Sequence, residues 1–176
     1  TLCEEVRTAI GSGKLMTSCF AASTAKLQGF PWARLNNTLN YFNMMTYDYN
    51  GGWSNKAGHN APLYDYPGQE YPNFSLNATV QGLRQLGVNM SKVTLGCPFY
   101  GRGVVTSGAA AVNAQTVKRQ ETIQPDGPVQ TCADYTNWQK DLWDGTPSYG
   151  YIQLTTGAGS GWTEHWDDNA KVPYKT

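Results

Sequence analysis

The 176-residue sequence predicts an α/β fold built on a parallel sheet. Three observations carry this. The first is an amphipathic run from Glu4 to Ile10, stopped by Gly11-Ser12-Gly13 and followed by the short apolar run Lys14 to Phe20. Helix, glycine stop and strand in that order are one half of a βα repeat. The second is recurrence, since strand-like runs return at 39–47 and 92–98 with helical patterns between them. Alternation of that kind calls for crossover helices and parallel strands. The third is a change of pattern beyond residue 102, which predicts a small α+β unit inserted into the repeat.

The elements follow in order. Residues 1–10 read as the last turns of a helix whose beginning is expected upstream. Residues 14–20 form the first strand. Residues 21–38 are mixed, with a short helix expected around Trp32-Ala33-Arg34-Leu35. The second strand, Leu39 to Tyr47, is rich in aromatic and thioether side chains. A Gly-, Asn- and Pro-rich loop runs from Asp48 to Asn73. Loops longer than about 15 residues in compact domains usually carry function. Ser75 or Asn77 can cap a helix through Leu86, and Gly87 ends it. Lys92 to Pro98 is the third strand. Farther on, a helix is expected from Cys132 to Trp143, and short alternating stretches stand at Tyr149–Leu154 and Gly161–Trp166.

Composition narrows the function classes. Lys plus Arg is 13 and Asp plus Glu is 13, so the net charge is zero. That argues against nucleic acid, which demands a basic surface. It gives no support for an anionic membrane surface. No run approaches the ~20 apolar residues of a membrane span. The excess lies in the rings: 11 Tyr, 6 Trp and 5 Phe against only 15% charged residues. Such a chain suits either a well-packed aromatic core or the stacking of flat ligands, sugars among them. Cys3, Cys19, Cys97 and Cys132 are too far apart for the close pairs of a zinc site. Cys19 and Cys97 lie in apparent strands and read as buried, unpaired thiols. Asn-x-Ser/Thr sequons at Asn36, Asn73, Asn77 and Asn89 favour a secreted glycoprotein.

Two segments concentrate chemistry. In Met44-Met45-Thr46-Tyr47-Asp48-Tyr49-Asn50-Gly51-Gly52-Trp53, a Tyr and an Asp stand at the carboxyl end of a strand, where α/β sheets place their sites. Tyr47 can donate a hydrogen bond, Asp48 can accept one or hold a positive charge, and Trp53 can stack on a sugar. The alternative is a packed strand end with a capping Asp. In Pro98-Phe99-Tyr100-Gly101-Arg102-Gly103, Arg102 offers a planar fork of donors between glycines that allow close backbone approach. The alternative is a surface Arg in a turn. His59 stands alone in its loop and reads as structural. His165, in Glu164-His165-Trp166-Asp167-Asp168, matches no metal-ligand spacing and reads the same way. No phosphate loop, dinucleotide fingerprint, Gly-x-Ser-x-Gly elbow or His-Glu-x-x-His helix occurs.

Together the blocks at 41–49, 51–55, 58–64 (Gly-His-Asn-Ala-Pro-Leu-Tyr) and 92–103 (Lys-Val-Thr-Leu-Gly-Cys-Pro-Phe-Tyr-Gly-Arg-Gly) resemble glycoside hydrolase family 18 chitinases in order and separation. The block Trp166 to Tyr174 looks like the end of the α+β insertion that many members carry. The stretch 104–148 diverges. The resemblance implies a (β/α)8 barrel, with residues 1–102 supplying strands five to seven, 103–174 the insertion, and 175–176 the return towards the barrel. Strands one to four would precede Thr1 and the eighth would follow Thr176.

The resemblance also implies a substrate-assisted retaining mechanism, an exception to the two-carboxylate scheme. A Glu protonates the glycosidic oxygen while the sugar's own N-acetyl oxygen attacks the anomeric carbon. That Glu closes an Asp-x-x-Asp-x-Asp-x-Glu motif on strand four, which is expected outside this chain. Tyr47 would hydrogen-bond the N-acetyl group. Asp48 would hold a sugar hydroxyl or the acetamido region. Met45 would floor the scissile sugar, Trp53 would stack on the aglycon side, and Tyr100 and Arg102 would line the cleft wall. No metal or organic cofactor is implied. The partner is chitin or a chitooligosaccharide, with the remaining barrel half expected on a longer chain or a separate polypeptide. Without that half the chain is expected neither to close a barrel nor to act alone. The alternatives are a chitinase-like lectin that binds without cleaving, and a relative acting on another N-acetylglucosamine glycan.

Overall fold

The computed structural model describes residues 2–121, 129–131 and 145–176. The chain divides into two compact units, one made of 1–47 and 73–97, the other of 48–72 and 98–176.

The first unit is the α/β repeat that the pattern predicts. Helix α1 spans Leu2–Ile10, and Gly11 ends it at φ +74°, donating its N–H to the Arg7 carbonyl at 3.0 Å. Glycine reaches that left-handed conformation without steric cost. Strand β1 is Thr17–Ala21, and β2 is Tyr41–Met45. Strand β3 is the short Val93–Leu95, entered through a single 3-10 turn at Met90–Lys92. The three are parallel in the order β1-β2-β3, with Phe20 beside Met44 and Phe42 beside Val93. These strands are narrower than the sequence runs that announce them, and they form an open sheet rather than a closed barrel among the described residues.

Helices α2 (Thr24–Leu27), α3 (Trp32–Thr38) and α4 (Leu76–Gln85) belong to the same unit. Residues alternate across a strand, so Phe42 and Met44 enter the core while Tyr41 and Met45 stay exposed. Phe42 and Met44 pack with Phe20, Leu27, Trp32, Leu35, Leu39, Leu83 and Val88. Ser75 caps α4 by accepting from the Ala78 N–H, and Gly87 ends it at φ +71°. The Thr79 hydroxyl, fully buried, donates to the Ala22 carbonyl at 2.7 Å and ties α4 to the end of β1. Lys92 Nζ donates to the carbonyls of Asn36 and Leu39. A cation at a helix C-terminus satisfies its orphan carbonyls and complements its dipole. Helix α2 is absent from the sequence expectation because its four residues are too few to show a period.

The thiols correct one expectation. Cys19 and Cys97 are exposed rather than buried, and together with the half-buried Cys3 they are free. Cys19 takes the face of β1 opposite Phe20, away from the aromatic core, and Cys97 lies beyond the end of β3. Cys132 and the helix expected from 132 to 143 lie outside the described residues.

The second unit is irregular. Residues 48–72 contain no helix or strand. Short antiparallel pairs do occur, β4 (Arg119–Glu121) with β5 (Val129–Thr131), and β6 (Glu164–Asp167) with β7 (Val172–Lys175). The β6–β7 turn is set by Asp167, whose Oδ1 accepts from the N–H groups of Asn169 and Ala170. The stretch Tyr149–Leu154, expected to alternate as a strand, is helix α5. Ser148 decides this by accepting from the Tyr151 N–H, an N-cap that outweighs the Tyr-Gly-Tyr alternation.

Candidate functional site

Asp48 opens the second unit directly after the sheet strand β2, and its backbone is turned to φ +60°. That region is strained for most residues, though Asp tolerates it better than most, and such strain gathers at functional sites. Its N–H donates to Asn60 Oδ1 at 2.8 Å, which holds the turn. Asn60 Nδ2 then donates to the Tyr100 carbonyl at 3.1 Å. One amide side chain therefore braces the two segments that carry the site. Asn60 was not among the residues singled out in the sequence. It stood inside the block 58–64, but an Asn in a loop gives no chemical signal of its own.

The side chains converge on the Asp48 carboxylate. Arg102 Nε donates to Oδ1 at 2.9 Å and its Nη2 to Oδ2 at 2.8 Å, a forked pair. The Tyr100 hydroxyl also donates to Oδ1, at 2.6 Å. The Arg102 guanidinium lies 5.1 Å from the Trp53 ring centroid and 5.3 Å from that of Tyr100, within cation–π range of both. Trp53 keeps 47% of its surface exposed.

The electrostatics fix each group in one protonation state near neutral pH. Partial burial opposes ionisation of Asp48, but the hydrogen bonds from Arg102 and Tyr100 and the guanidinium charge outweigh it and hold the carboxyl below its usual range. Burial, then the Asp48 hydrogen bond and charge, push the Tyr100 phenol up to about 12. Burial works against the Arg102 cation, yet its Asp48 partner raises it further. A carboxylate that stays charged, a phenol that stays protonated and a permanent cation can orient and bind a polar ligand. None of them is poised to give up or take a proton near pH 7.

The structure thus gathers Asp48, Trp53, Tyr100 and Arg102 within the second unit. Met45 and Tyr47 belong to the first unit. Met45 is the exposed last residue of β2. Tyr47 lies against Gly96, where an added Cβ would come within 2.6 Å of its ring.

A second cluster was not legible at all. His59, almost wholly buried, meets Asp167 Oδ2 at 2.8 Å, from 108 residues away in sequence. Tyr66 and Tyr174 stack edge-on against its ring. Four residues on from His59, Leu63 donates its N–H to the carbonyl of the buried Ala170. The structural reading of His59 therefore rests on a carboxylate partner that its own loop does not supply. His165 stacks on Tyr174 and bonds the Thr176 hydroxyl. Among the described residues no group of three or more His, Cys, Asp or Glu side chains could hold a metal ion.

The pairing of the block 58–64 with the block 166–174, and of 48–53 with 98–103, gives a physical reason for those segments to travel together. The sequence model of glycosyl hydrolases family 18 matches residues 1–176. The chain belongs to that family.

Chitinase A1 of Niallia circulans is 31% identical over 173 residues, which are 93% of this chain and 22% of that protein. Among solved structures, a group II chitinase catalytic domain of Ostrinia furnacalis, in complex with (NAG)5, superposes with a TM-score of 0.77 at 28% identity, covering 99% of this chain and 43% of that one. A group IV chitinase of the same insect, in complex with allosamidin, gives 0.79 at 27% identity, covering 99% and 45%. The family 18 chain thus spans less than half the length of these relatives. No helix among its described residues is long and apolar enough to cross a membrane.

Proposed function

We propose that this family 18 chain is part of a secreted chitinase, in which it binds β-1,4-linked N-acetylglucosamine chains. The observation that carries the reading is the Asp48 carboxylate, held charged by Arg102 and Tyr100 beside the half-exposed ring of Trp53. A fixed acceptor next to an aromatic face matches an amino sugar, which offers N–H and O–H donors on its edge and an apolar C–H face. The relatives named above, two of them solved with (NAG)5 and allosamidin, support the same substrate class.

In this reading Asp48 receives a sugar hydroxyl or the acetamido N–H, Trp53 stacks on the aglycon side, and Tyr100 and Arg102 hold Asp48 in place and line the wall. Met45 forms an apolar floor, and Tyr47 hydrogen-bonds the N-acetyl oxygen that attacks the anomeric carbon. The proton for the leaving oxygen comes from a Glu outside residues 1–176. This fits the fixed protonation states of Asp48, Tyr100 and Arg102. The sheet β1-β2-β3 then belongs to a (β/α)8 barrel, with residues 103–174 as the insertion. Arranged so, the retaining reaction needs no cofactor.

The test is turnover of a labelled chitooligosaccharide by the full-length protein that carries this chain. Hydrolysis is expected, with Asp48→Ala slowing it by roughly 10²-fold, as for loss of one preorganised electrostatic contact. Tight binding without any cleavage would replace the reading with a lectin. Absence of both binding and cleavage would end it.

A further inference from the structure

The turn that carries Trp53 is held from outside by a residue far along the chain. Gly51 to Ser54 form a β-turn closed by the Ser54 N–H on the Gly51 carbonyl at 2.9 Å, and by the Gly51 N–H on Ser54 Oγ at 3.1 Å. Trp53 occupies the third position. Its ring folds back over Gly51 so closely that an added Cβ there would lie 2.6 Å from it. The peptide between the second and third residues of a β-turn is the one whose rotation interconverts turn types. Here that peptide joins Gly52 to Trp53. A complete flip would force Trp53, whose φ is negative, to a positive φ that a bulky residue resists. Glycine at the second position nevertheless leaves partial rotations of the peptide open. A rotation would re-aim the Trp53 side chain.

Lys118 removes that freedom. Its Nζ donates to the Gly52 carbonyl at 3.1 Å and to the Ser54 carbonyl at 2.7 Å, the carbonyls on either side of Trp53. The Thr116 hydroxyl donates to the Ser54 carbonyl as well, at 2.7 Å. A short antiparallel register delivers both residues. Lys56 bridges to Gln115, the Thr116 N–H donates to the Asn55 carbonyl, and the Ala57 N–H donates to that of Ala114. On the other side of the turn Glu70 accepts from the N–H groups of Asn55 and Lys56.

We propose that Lys118 is a positioning residue for oligosaccharide recognition: by bonding both carbonyls that flank Trp53, it fixes the turn peptide and thereby the plane of the stacking ring. The proposal rests on the reading of Trp53 as a sugar platform. Stacking affinity depends on a ring already held in its bound orientation, because a ring that must be ordered on binding gives back part of the gain. The ligand class is the extended N-acetylglucosamine chain whose aglycon-side sugar reaches Trp53.

The experiment is a double-mutant cycle in the full-length protein, with the β-1,4-linked N-acetylglucosamine hexamer as probe. KM and kcat are measured, or Kd by tryptophan fluorescence if turnover is absent, together with the thermal midpoint. Lys118→Met keeps the aliphatic stem and removes the donors. It is expected to raise KM or Kd roughly three- to tenfold, the scale of one or two lost hydrogen bonds, with kcat changed less. Lys118→Arg, which retains donors, is expected to recover most of the affinity. In a Trp53→Ala background Lys118→Met is expected to add less than about twofold, since the residue acts through the ring.

If Trp53→Ala weakens binding while Lys118→Met does not, the positioning role is overturned and the platform stands. If Lys118→Met is equally costly with and without Trp53, Lys118 acts by another route and the proposal falls. If Trp53→Ala leaves affinity unchanged, the sugar-platform reading and the proposal fall together. Should Lys118→Met fail to fold, Lys118→Gln takes its place in the same cycle: a loss of affinity seen only when Trp53 is present supports the proposal, and an unchanged affinity, or an equal loss with and without Trp53, overturns it.

Discussion

The two units of the chain are held together by different physics. The first is regular: helices and parallel strands closed over Phe20, Trp32, Phe42, Met44 and Leu83. In the second, the loop from Asp48 to Pro72 has neither helix nor strand, and polar side chains satisfy its backbone instead. Asn50 donates to the His59 carbonyl, Glu70 accepts from Asn55 and Lys56, Asn60 takes the Asp48 N–H, and Lys118 holds Gly52 and Ser54. Burial without direction makes a scaffold that tolerates similar shapes. Directional bonds make a loop that fixes individual atoms, which is what a recognition site requires.

The contrast can be broken most forcefully from the scaffold side. Phe42 is fully buried, in edge or tilted contact with Phe20 and Trp32. Phe42→Ala is expected to cost about 3–5 kcal/mol through lost burial and a cavity, read as a lowered midpoint in denaturant unfolding. A cost below about 1 kcal/mol would mean that the aromatic cluster does not carry the first unit.

On the loop side the largest loss is expected at His59. Replacement by Ala leaves the Asp167 carboxylate with its backbone donors but without its ring partner, at a cost of about 1–3 kcal/mol. Burial raises the Asp167 pKa, but the His59 bond and the Asn169 and Ala170 N–H groups bring it below the ordinary value. A depressed folded pKa stabilises above the unfolded value and loses that contribution as pH falls through the folded one. Stability of the protein should therefore decline in acid below the usual carboxylate range. Asp167→Asn should flatten that decline, and an unchanged acid limb would remove the pair from the account of how the loop is held.

How much of this was legible depends on whether the determining contact is local. Helix α4 was readable because its cap Ser75 and its stop Gly87 lie within the segment they define. The three strands were readable from apolar runs, though not their true ends, which pairing sets. Helix α5 was misread because the Ser148 cap competes with an alternating pattern, and the cap wins. At the site, Asp48, Trp53, Tyr100 and Arg102 could be chosen by residue type and by family resemblance. Their mutual bonds, at separations of 52 and 54 residues for Tyr100 and Arg102, could not be read from spacing. Asn60, Lys118 and the His59–Asp167 pair were invisible for the same reason, since each acts on a partner distant in sequence or on backbone that only folding brings near.

A smaller effect tests the brace between the two site segments. Asn60→Ala removes an acceptor for the Asp48 N–H and a donor for the Tyr100 carbonyl. Affinity for an N-acetylglucosamine oligomer should fall about fivefold, in line with roughly 1 kcal/mol of net hydrogen bonding. The drop should appear with little change in thermal midpoint, because the loop keeps its Glu70 and Lys118 anchors. A large loss of stability with unchanged affinity would place Asn60 with the scaffold rather than with the site.

The least conspicuous consequence near neutral pH is the titration of Tyr100. Its phenol is displaced to about 12, by burial first and then by the Asp48 hydrogen bond and charge. A raised folded pKa contributes stability that is complete below the unfolded value of ~10 and is lost as pH rises through the folded one. Asp48→Asn removes the charge and should bring the phenol back towards ~10, while leaving the bulk of the protein's stability at pH 7 in place. Phenolate absorbance in an alkaline titration, with Tyr100→Phe subtracted to isolate the one ring, reads the change directly. If Asp48→Asn leaves that component near 12, burial alone displaces the phenol. The Asp48 carboxylate would then not be the organising charge of the site, and directional bonding would cease to distinguish the loop from the scaffold at the point where the distinction matters most.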